Sequence, residues 1–578
     1  MNEIVRPTHQ TSEERRRQRR KVIVAASLGT AFEWYDFHLY GTLAPIIAKQ
    51  FFSGVNETAA YVFALVTFAA GFVGRPFGSL VFGWLGDLVG RKYTFMATIV
   101  LMALPTFFVG LLPGYRTLGI LAPTMLIVLR ILQGLAAGGE YGGALIYVAE
   151  HAPEKRRGAD TSWINAMGAV GIVLALAVTF VVRSWAGETA FVDWAWRIPF
   201  VASLVLFAIS AWIRLNLDES PIYAEMKAAG KTSTKPIRET FGDWRITRTA
   251  ISLVLGCTAA VGMMAYNSQF YTQFFLARTL KIDPVSVNAI TFAALVLSLP
   301  AYFFFGRLSD RIGRKPVILG AALVAAIGIQ PAFRAMTHFG NPSLERAAAL
   351  APVVVHANPV DCSIQFNPVS TSRLTSSCDI AKSYLAASMI SYRNQEVPAG
   401  DIAYVTIGST RVSSFDGTSM TKLDLANAEK HFQSEMSSTL TSAGYPMHAS
   451  LDAGAYIGLV LLIAFLLTLY AAVYSPAGAW MTELFPSRVR YTAISLPYNM
   501  GAGWFGGFMP ATAFSMVAAN GGIYFGLWYP VTVLAITVCA GFFLLPETSG
   551  NRFIVAEDDS PARTKGIADA PRYGSVKN

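Results

Sequence analysis

Charge is scarce in this sequence. Asp, Glu, Lys and Arg make up only 14% of its 578 residues and hydrophobic residues 53%, whereas an average soluble domain is about 25% charged, so an ordinary water-soluble fold is excluded. Acidic groups are fewer than basic ones, 36 against 46, leaving a net charge of +10. A surplus of that sign fits a nucleic-acid partner, and Arg15-Arg16-Arg17-Gln18-Arg19-Arg20-Lys21 looks like a basic patch. An apolar run follows it at once, however, and the remaining basic residues collect in alternate loops. Orientation in a membrane accounts for both, and no nucleic-acid partner is expected. Cysteine is rare, with four residues; Cys257 and Cys539 fall inside apolar runs and read as packing residues. No HExxH, P-loop or GxSxG stands in a suitable context, and His151, His338 and His448 lack ligand-like clustering. No metal site, cofactor or enzymatic activity is therefore expected. Without a phosphate cradle an ATP-driven pump is disfavoured, and a proton gradient is the natural energy source.

Long apolar runs are what the chain has in abundance. A span needs about 20 mostly apolar residues, and twelve stretches meet that, at 22–47, 59–84, 94–113, 119–148, 159–184, 195–215, 247–277, 286–306, 316–336, 453–476, 490–517 and 522–545. They divide the chain into a basic N-terminus (1–21), a six-helix bundle (22–215), a linker (216–246), the first part of a second bundle (247–337), an insertion (338–452), the second part (453–545) and a tail (546–578). Lys and Arg concentrate in the N-terminal cluster, at Arg91-Lys92, Lys155-Arg156-Arg157, in the linker, at Arg311, Arg314, Lys315 and at Arg488 and Arg490. The positive-inside rule then puts both termini and the linker in the cytoplasm. The first span has no small-residue cleavage site and reads as an uncleaved signal-anchor. The insertion emerges on the opposite side, as a small polar extracytoplasmic domain with β-prone pieces such as Ala403-Tyr-Val-Thr-Ile407; a disordered loop is the alternative. In that oxidising compartment a Cys362–Cys378 disulfide is expected.

Two repeats run through the chain. GWLGDLVGRK at 83–92 returns as GRLSDRIGRK at 306–315, and Glu150-His-Ala-Pro153-Glu-Lys-Arg156-Arg157 is echoed by Glu483-Leu-Phe-Pro486-Ser-Arg488-Val-Arg490. Asp87 to Asp310 is 223 residues and Glu150 to Glu483 is 333, so the difference of 110 measures an insertion between Asp310 and Glu483. Duplication of this kind implies two pseudo-symmetric halves with a solute cavity between them.

Ionisable groups inside spans are costly and mark candidate sites. Glu33, Asp36 and Tyr40 lie at i, i+3 and i+7, on one face of the first helix. A proton-binding carboxylate there is one reading; permanent pairing with an arginine is the other. Arg130, Gln133 and Glu140 are read as projecting to similar sides of the fourth span. Arg130 and, on the second span, Arg75 could grip an anionic group with two parallel hydrogen bonds; a fixed Arg130–Glu140 or Arg130–Asp36 bridge is the structural alternative. The proton-coupling candidates are thus Glu33, Asp36 and Glu140. Tyr266, Gln269 and Gln273 on the seventh span, and Tyr498 and Asn499 on the eleventh, could present donors to a solute, or bond between helices without one. Gly501, Gly503, Gly506 and Gly507 read as close-packing or bending residues.

The doubled GxxxDxxGRK turn, the six-and-six split and Arg130-Ile-Leu-Gln133-Gly134 resemble the major facilitator superfamily. Ala31-Phe-Glu33-Trp34-Tyr35-Asp36-Phe37, Gly74-Arg75-Pro76-Phe77-Gly78 and Gly138-Gly139-Glu140-Tyr141 are similar to its metabolite:proton symporter branch, which includes permeases for α-ketoglutarate, citrate, shikimate and proline/betaine. The resemblance implies an all-α integral membrane protein of two six-helix bundles, working as a monomer in the bacterial inner membrane. It also implies that Gly83, Asp87, Gly90, Arg91, Lys92, Asp310, Gly313, Arg314 and Lys315 form a charge latch that gates the cytoplasmic side. The expected activity is proton-coupled import of a small organic acid by alternating access. Uptake of a zwitterionic osmolyte is the alternative, slightly disfavoured by a tail without a long heptad pattern, and a nutrient sensor is a third reading.

Overall fold

The computed structural model describes residues 12–53, 57–215, 219–363, 375–398 and 400–550. The N-terminal half holds α1 (Ser12–Phe51), α2 (Glu57–Leu88), α3 (Arg91–Leu111), α4 (Leu121–His151), α5 (Arg157–Ala186) and α6 (Arg197–Leu215). The C-terminal half holds α7 (Trp244–Thr279), α8 (Pro284–Ile312), α9 (Arg314–Gly340), α10 (Ala453–Leu484), α11 (Arg490–Tyr498 and Met509–Asn520, joined through Asn499–Gly506) and α12 (Trp528–Leu544). Among the described residues nine helical segments are long and apolar enough to cross a membrane. Outside that set, α1 carries Glu33, Asp36 and His38 within its apolar stretch, and α11 is interrupted. Each helix coincides with an expected span, but α1 starts well before 22 because Arg, Lys and Gln favour a helix and carry it beyond the apolar run. The linker also contains short helices, Pro221–Ala228 and Pro236–Phe241. Residues 1–11 of the basic N-terminus and 551–578 of the tail lie outside the described residues.

Two helices depart from regular α geometry. Wide i→i+5 turns occupy Val254–Thr258, Asn267–Tyr271 and Phe275–Thr279 of α7 and Asn499–Gly506 of α11, the kind of local widening that gathers at functional sites. These two helices also pack closely against each other. A Cβ on Gly262 would sit 2.8 Å from the Cα of Ala502, and one on Gly501 only 2.0 Å from Thr258 Oγ1. Gly501 and Gly506 thus serve backbone approach, whereas a Cβ on Gly503 would meet only Arg75 Cδ, at 3.9 Å, and one on Gly507 the Phe72 side chain.

The insertion is a folded unit with its own core, so the disordered alternative does not hold for its described residues. Four short strands, β1 (Val353–His356), β2 (Arg393–Gln395), β3 (Tyr404–Ile407) and β4 (Thr410–Ser413), form a sheet ordered β2-β1-β3-β4, with β1 and β2 parallel and the other pairs antiparallel. Alternation along β1 and β3 sends Val353, Val355, Val405 and Ile407 inward, where they meet Leu385, Phe432 and Met436 from the helices Ser377–Ala387 and Lys422–Ser442. Cys362 and Cys378 are joined by a disulfide. The unit begins a little later than 338, because α9 runs on to Gly340 and Asn341 then caps the next short helix through Leu344 N–H (3.0 Å). It is fastened to the C-terminal half: Lys281 Nζ donates to Ser388 O (2.9 Å), Tyr392 N–H to Gly521 O (2.9 Å) and Tyr392 Oη to Ala518 O (2.6 Å).

The disulfide spans 16 residues, a loop whose closure contributes about 3 kcal/mol on the chain-entropy model. Cys362→Ser is therefore expected to make the insertion markedly more sensitive to protease while leaving the thermal transition of the helical body in place. Unchanged protease resistance would show that the sheet core holds the unit without the crosslink.

Candidate functional site

The interior of the N-terminal half is built on three ion pairs. Arg75 Nη2 of α2 donates to Glu33 Oε1 of α1 (2.9 Å), and Arg130 Nη1 of α4 approaches Asp36 Oδ2 (3.3 Å). Gln133 Nε2 reaches Asp36 Oδ1 (3.3 Å) and Thr106 Oγ1 (2.7 Å), while the Arg130 guanidinium lies 3.7 Å from the centre of the Tyr40 ring. Glu33, Asp36 and Tyr40 thus share a helix face, and the structure brings Arg75, Arg130 and Gln133 to it. These charged side chains are at most 7% exposed, a placement that pairing makes tolerable. The cavity lined by Glu33, Asp36, Phe37, Arg130 and Gln133 is only about 10 Å³, room for about one water. The site is occluded.

Glu140 does not join this group. Ten residues advance a helix by about 80° short of whole turns, which turns Glu140 away from Arg130. It pairs instead with Arg214 at the end of α6 (2.6 Å) and accepts from Thr98 Oγ1 of α3 (2.6 Å). The expected Arg130–Glu140 bridge is therefore absent and the Arg130–Asp36 bridge is present. Arg214 was not legible as a partner because it sits at the end of its own span.

The C-terminal half contributes uncharged groups. Tyr266 stacks on Phe270 (5.3 Å) and meets Phe72 edge-on (5.5 Å). Gln273 Nε2 donates to the backbone oxygen of Gln269, a local bond within α7. Tyr498 stacks on Tyr141 (4.1 Å), and Asn499 Nδ2 crosses to Gly138 O of the opposite half (2.8 Å). Sequence reasoning missed His38, 3% exposed, whose two ring nitrogens have no hydrogen-bond partner among the described residues, and whose ring centre is 6.2 Å from that of Phe270. Asn267 has both side-chain polar atoms buried and likewise unpartnered there. For His38 an imidazole inside an apolar run was the available signal.

At the end of the bundle where the basic loops gather, the two halves are laced together reciprocally. Asp87, at the end of α2, accepts from Tyr491 N–H (3.3 Å), Thr492 N–H (2.9 Å) and Thr492 Oγ1 (2.8 Å), so it caps the first turn of α11 from the other half. Asp310, at the end of α8, accepts from Gly158 N–H (2.9 Å) and Ala159 N–H (2.8 Å) and caps α5. Each aspartate also holds its own arginine, Arg91 at 2.8 Å and Arg314 at 2.6 Å. The capping thus runs across the interface, combining unsatisfied first-turn N–H groups with the positive helix end. Gly90 and Gly313 take φ of 131° and 108° in the intervening turns, a region that favours glycine. Lys92 and Lys315 stay at the edge; Lys315 Nζ donates to Leu545 O (2.8 Å).

A second layer of charges completes this end. Arg490 Nη1 donates to Glu150 Oε1 (2.9 Å), and Arg157 Nη1 to Glu483 Oε1 (3.4 Å). Glu150 and Glu483, and Arg157 and Arg490, are related by the same 333-residue offset. In the sequence their repeat indicates register and topology, and its shared order of Glu, Pro and Arg in the two halves is the signal for this lattice. Glu219 and Glu547 repeat the theme by accepting the N–H groups of Arg91 (3.1 Å) and Arg314 (3.0 Å).

Two pseudo-symmetric six-helix halves closing over a charged interior define a multi-pass membrane protein of the major facilitator fold. Its match to a proton:xylose symporter structure solved with 6-bromo-6-deoxy-D-glucose covers 93% of this chain and 97% of that one, with a TM-score of 0.58 at 15% identity. A partially occluded inward-open xylose transporter from E. coli matches with a TM-score of 0.55, again at 15% identity, over 93% and 100% of the two chains. These likenesses concern the fold. The chain belongs to the sugar (and other) transporter family, whose model matches residues 21–244 and 434–559. Among curated relatives, a proline/betaine transporter of Escherichia coli K12 is 38% identical over 324 residues, 54% of this chain and 63% of the relative. A glycine betaine/proline/ectoine/pipecolic acid transporter of Dickeya dadantii is 35% identical over the same shares. The match therefore spans less than two thirds of the relatives' length. The family and these relatives are transporters, which places the chain among transporters and not among enzymes.

Removing one partner of a buried charge pair costs about 3–5 kcal/mol. Asp87→Asn is expected to loosen the basic end, so that a cysteine placed at Ser495 reacts several-fold faster with a membrane-impermeant thiol reagent applied from that side. Equal labelling in both proteins would show that the crossed capping does not hold the halves together.

Proposed function

We propose that the chain is a proton-coupled importer of a zwitterionic osmolyte of the proline/betaine class, acting as a monomer in the bacterial cytoplasmic membrane. The observation that carries this reading is charge balance. In the central site Arg75 is matched by Glu33 and Arg130 by Asp36, so protonating one carboxylate frees one arginine, enough for a single substrate carboxylate and too few for the two or three of a di- or tricarboxylate. A zwitterion presents that single carboxylate and adds no net charge of its own. The names of the related transporters support the same class. The organic-acid reading is accordingly set aside, and with it the sensor.

In this account the bundle 22–215 rocks against 247–337 and 453–545, while the insertion 338–452 faces the outside and the lattice of Asp87, Arg91, Asp310 and Arg314 closes the cytoplasmic end. Glu33 is the favoured proton carrier. One of its oxygens holds Arg75, while Oε2 has no hydrogen-bond partner among the described residues. Protonation would neutralise Glu33 and release the Arg75 fork for the substrate carboxylate, coupling the two bindings. Asp36, held by Arg130 and Gln133, then serves as a fixed counter-charge. Tyr40 and Gln133 position Arg130, and Tyr266, Gln269, Gln273, Tyr498 and Asn499 line the opposite wall.

Proteoliposomes with and without an inward proton gradient provide the test. Labelled proline or glycine betaine should accumulate only with the gradient, and Glu33→Gln should lose most of that accumulation while retaining gradient-free exchange. Accumulation that ignores the gradient, or a fully active Glu33→Gln protein, would overturn the coupling.

A further inference from the structure

Three tyrosines lie on the basic-end side of Glu33 and Arg75, and both halves contribute to them. Tyr141 comes from α4, Tyr474 from α10 and Tyr498 from α11. The Tyr141 ring lies 4.1 Å from Tyr498 and 5.7 Å from Tyr474, at interplanar angles of 22° and 21°, so the faces are turned towards one another across the interface. Tyr470 continues the stack behind Tyr474 at 5.2 Å and 15°. The hydroxyls are drawn sideways: Tyr141 Oη donates to Asn165 Oδ1 (3.0 Å), and the Tyr474 and Tyr498 hydroxyls meet at 3.4 Å. All three rings are at most 5% exposed. Arg75 is close by on both sides: a Cβ on Gly138, three residues before Tyr141, would meet its backbone oxygen, and one on Gly503, five residues after Tyr498, would lie 3.9 Å from its Cδ.

We propose that this tyrosine layer is the subsite for the cationic end of the substrate, specifically a quaternary or secondary ammonium flanked by aromatic faces while Arg75 holds the carboxylate. The inference rests on the zwitterion reading above and deepens it. A quaternary ammonium has no N–H to donate and presents its charge through methyl groups, so carboxamides and hydroxyls recognise it poorly, whereas the negative face of an aromatic ring attracts it directly. In the occluded molecule the facing rings fill the space themselves. Parting the halves separates Tyr141 from Tyr474 and Tyr498 and opens a slot with an electron-rich face on each side. Its proximity to Arg75 suits a short zwitterion, whose two charges are one or two carbons apart. The bound cation takes the place of the ring–ring contact and holds the two faces apart by its own width.

The probe is 3,3-dimethylbutanoate, which replaces the nitrogen of glycine betaine by carbon, keeping shape and carboxylate but removing the positive charge. In competition against labelled glycine betaine in proteoliposomes, the wild type is expected to prefer unlabelled betaine to this isostere by about 30-fold, equivalent to about 2 kcal/mol at 1.36 kcal/mol per decade. Tyr498→Leu and Tyr141→Leu should shrink that preference to about threefold or less, and Tyr498→Phe, which keeps the ring, should retain most of it. A merely structural role would weaken both competitors equally and leave the ratio unmoved. Survival of the ratio in both leucine variants, or its loss in Tyr498→Phe, overturns the tyrosine assignment while betaine transport stands. A wild-type protein that binds and transports neither betaine nor proline overturns the zwitterion reading itself, and this inference with it.

Discussion

Asp87 is a buried carboxylate and Asp310 a half-buried one, and the hydrogen-bond donors of both lie largely on the opposite half of the molecule. A charge so placed would be prohibitively expensive alone, and each is offset by two backbone N–H groups at the start of a helix in the other half together with an arginine from its own. Closure of this end therefore satisfies the very groups that closure desolvates. Opening it returns them to water, which solvates carboxylates and free N–H groups well, so the two arrangements differ by far less than the gross strength of either set of bonds. A packed apolar seam would have no comparable second state. On the proposed alternating-access reading, the crossed caps make the interface firm when shut without making it permanent, which is the condition for a two-state element.

The charge distribution in the interior is lopsided despite the pseudo-symmetry of the ends. The pairs Glu33–Arg75, Asp36–Arg130 and Glu140–Arg214 all lie within the N-terminal half, whereas the C-terminal half presents phenols, amides and widened helical turns at the same depth. Fixed pairs on one side and adaptable neutral groups on the other divide the work. In the proposed transport cycle the N-terminal half carries charge that must stay balanced, and α7 and α11, with their wide turns and glycine contacts, supply the wall that changes shape. The insertion is tied to this second wall, through Lys281 beyond the end of α7 and through Ala518 and Gly521 at the end of α11.

Much of the fold was legible because the bilayer imposes a simple rule. Each span must be long, apolar and helical, and the twelve runs reveal themselves by length alone. Glu33, Asp36 and Tyr40 were readable as one face because helical spacing fixes side-chain direction over a turn or two. Over ten residues the same reasoning misplaced Glu140, since angular offsets accumulate and its partner Arg214 is 74 residues away in sequence. Glu150, Arg157, Glu483 and Arg490 were visible as a repeat but not as a lattice. Their partners lie more than 300 residues off, a separation that no local pattern encodes. His38 went unnoticed because a single polar residue in an apolar run carries no periodic signal.

Composition, apolar length and internal duplication by themselves determined that this chain is a membrane protein of two related six-helix halves, and the order of charges along each repeat determined which residues would gather at one end. Only the tertiary structure decided that Asp87 caps a helix of the opposite half, that Arg75 and Arg130 are each neutralised, and that three tyrosines meet face to face. The reason is physical: hydrophobic length is a property of each segment, whereas charge neutralisation and ring stacking depend on distances set only when distant segments pack.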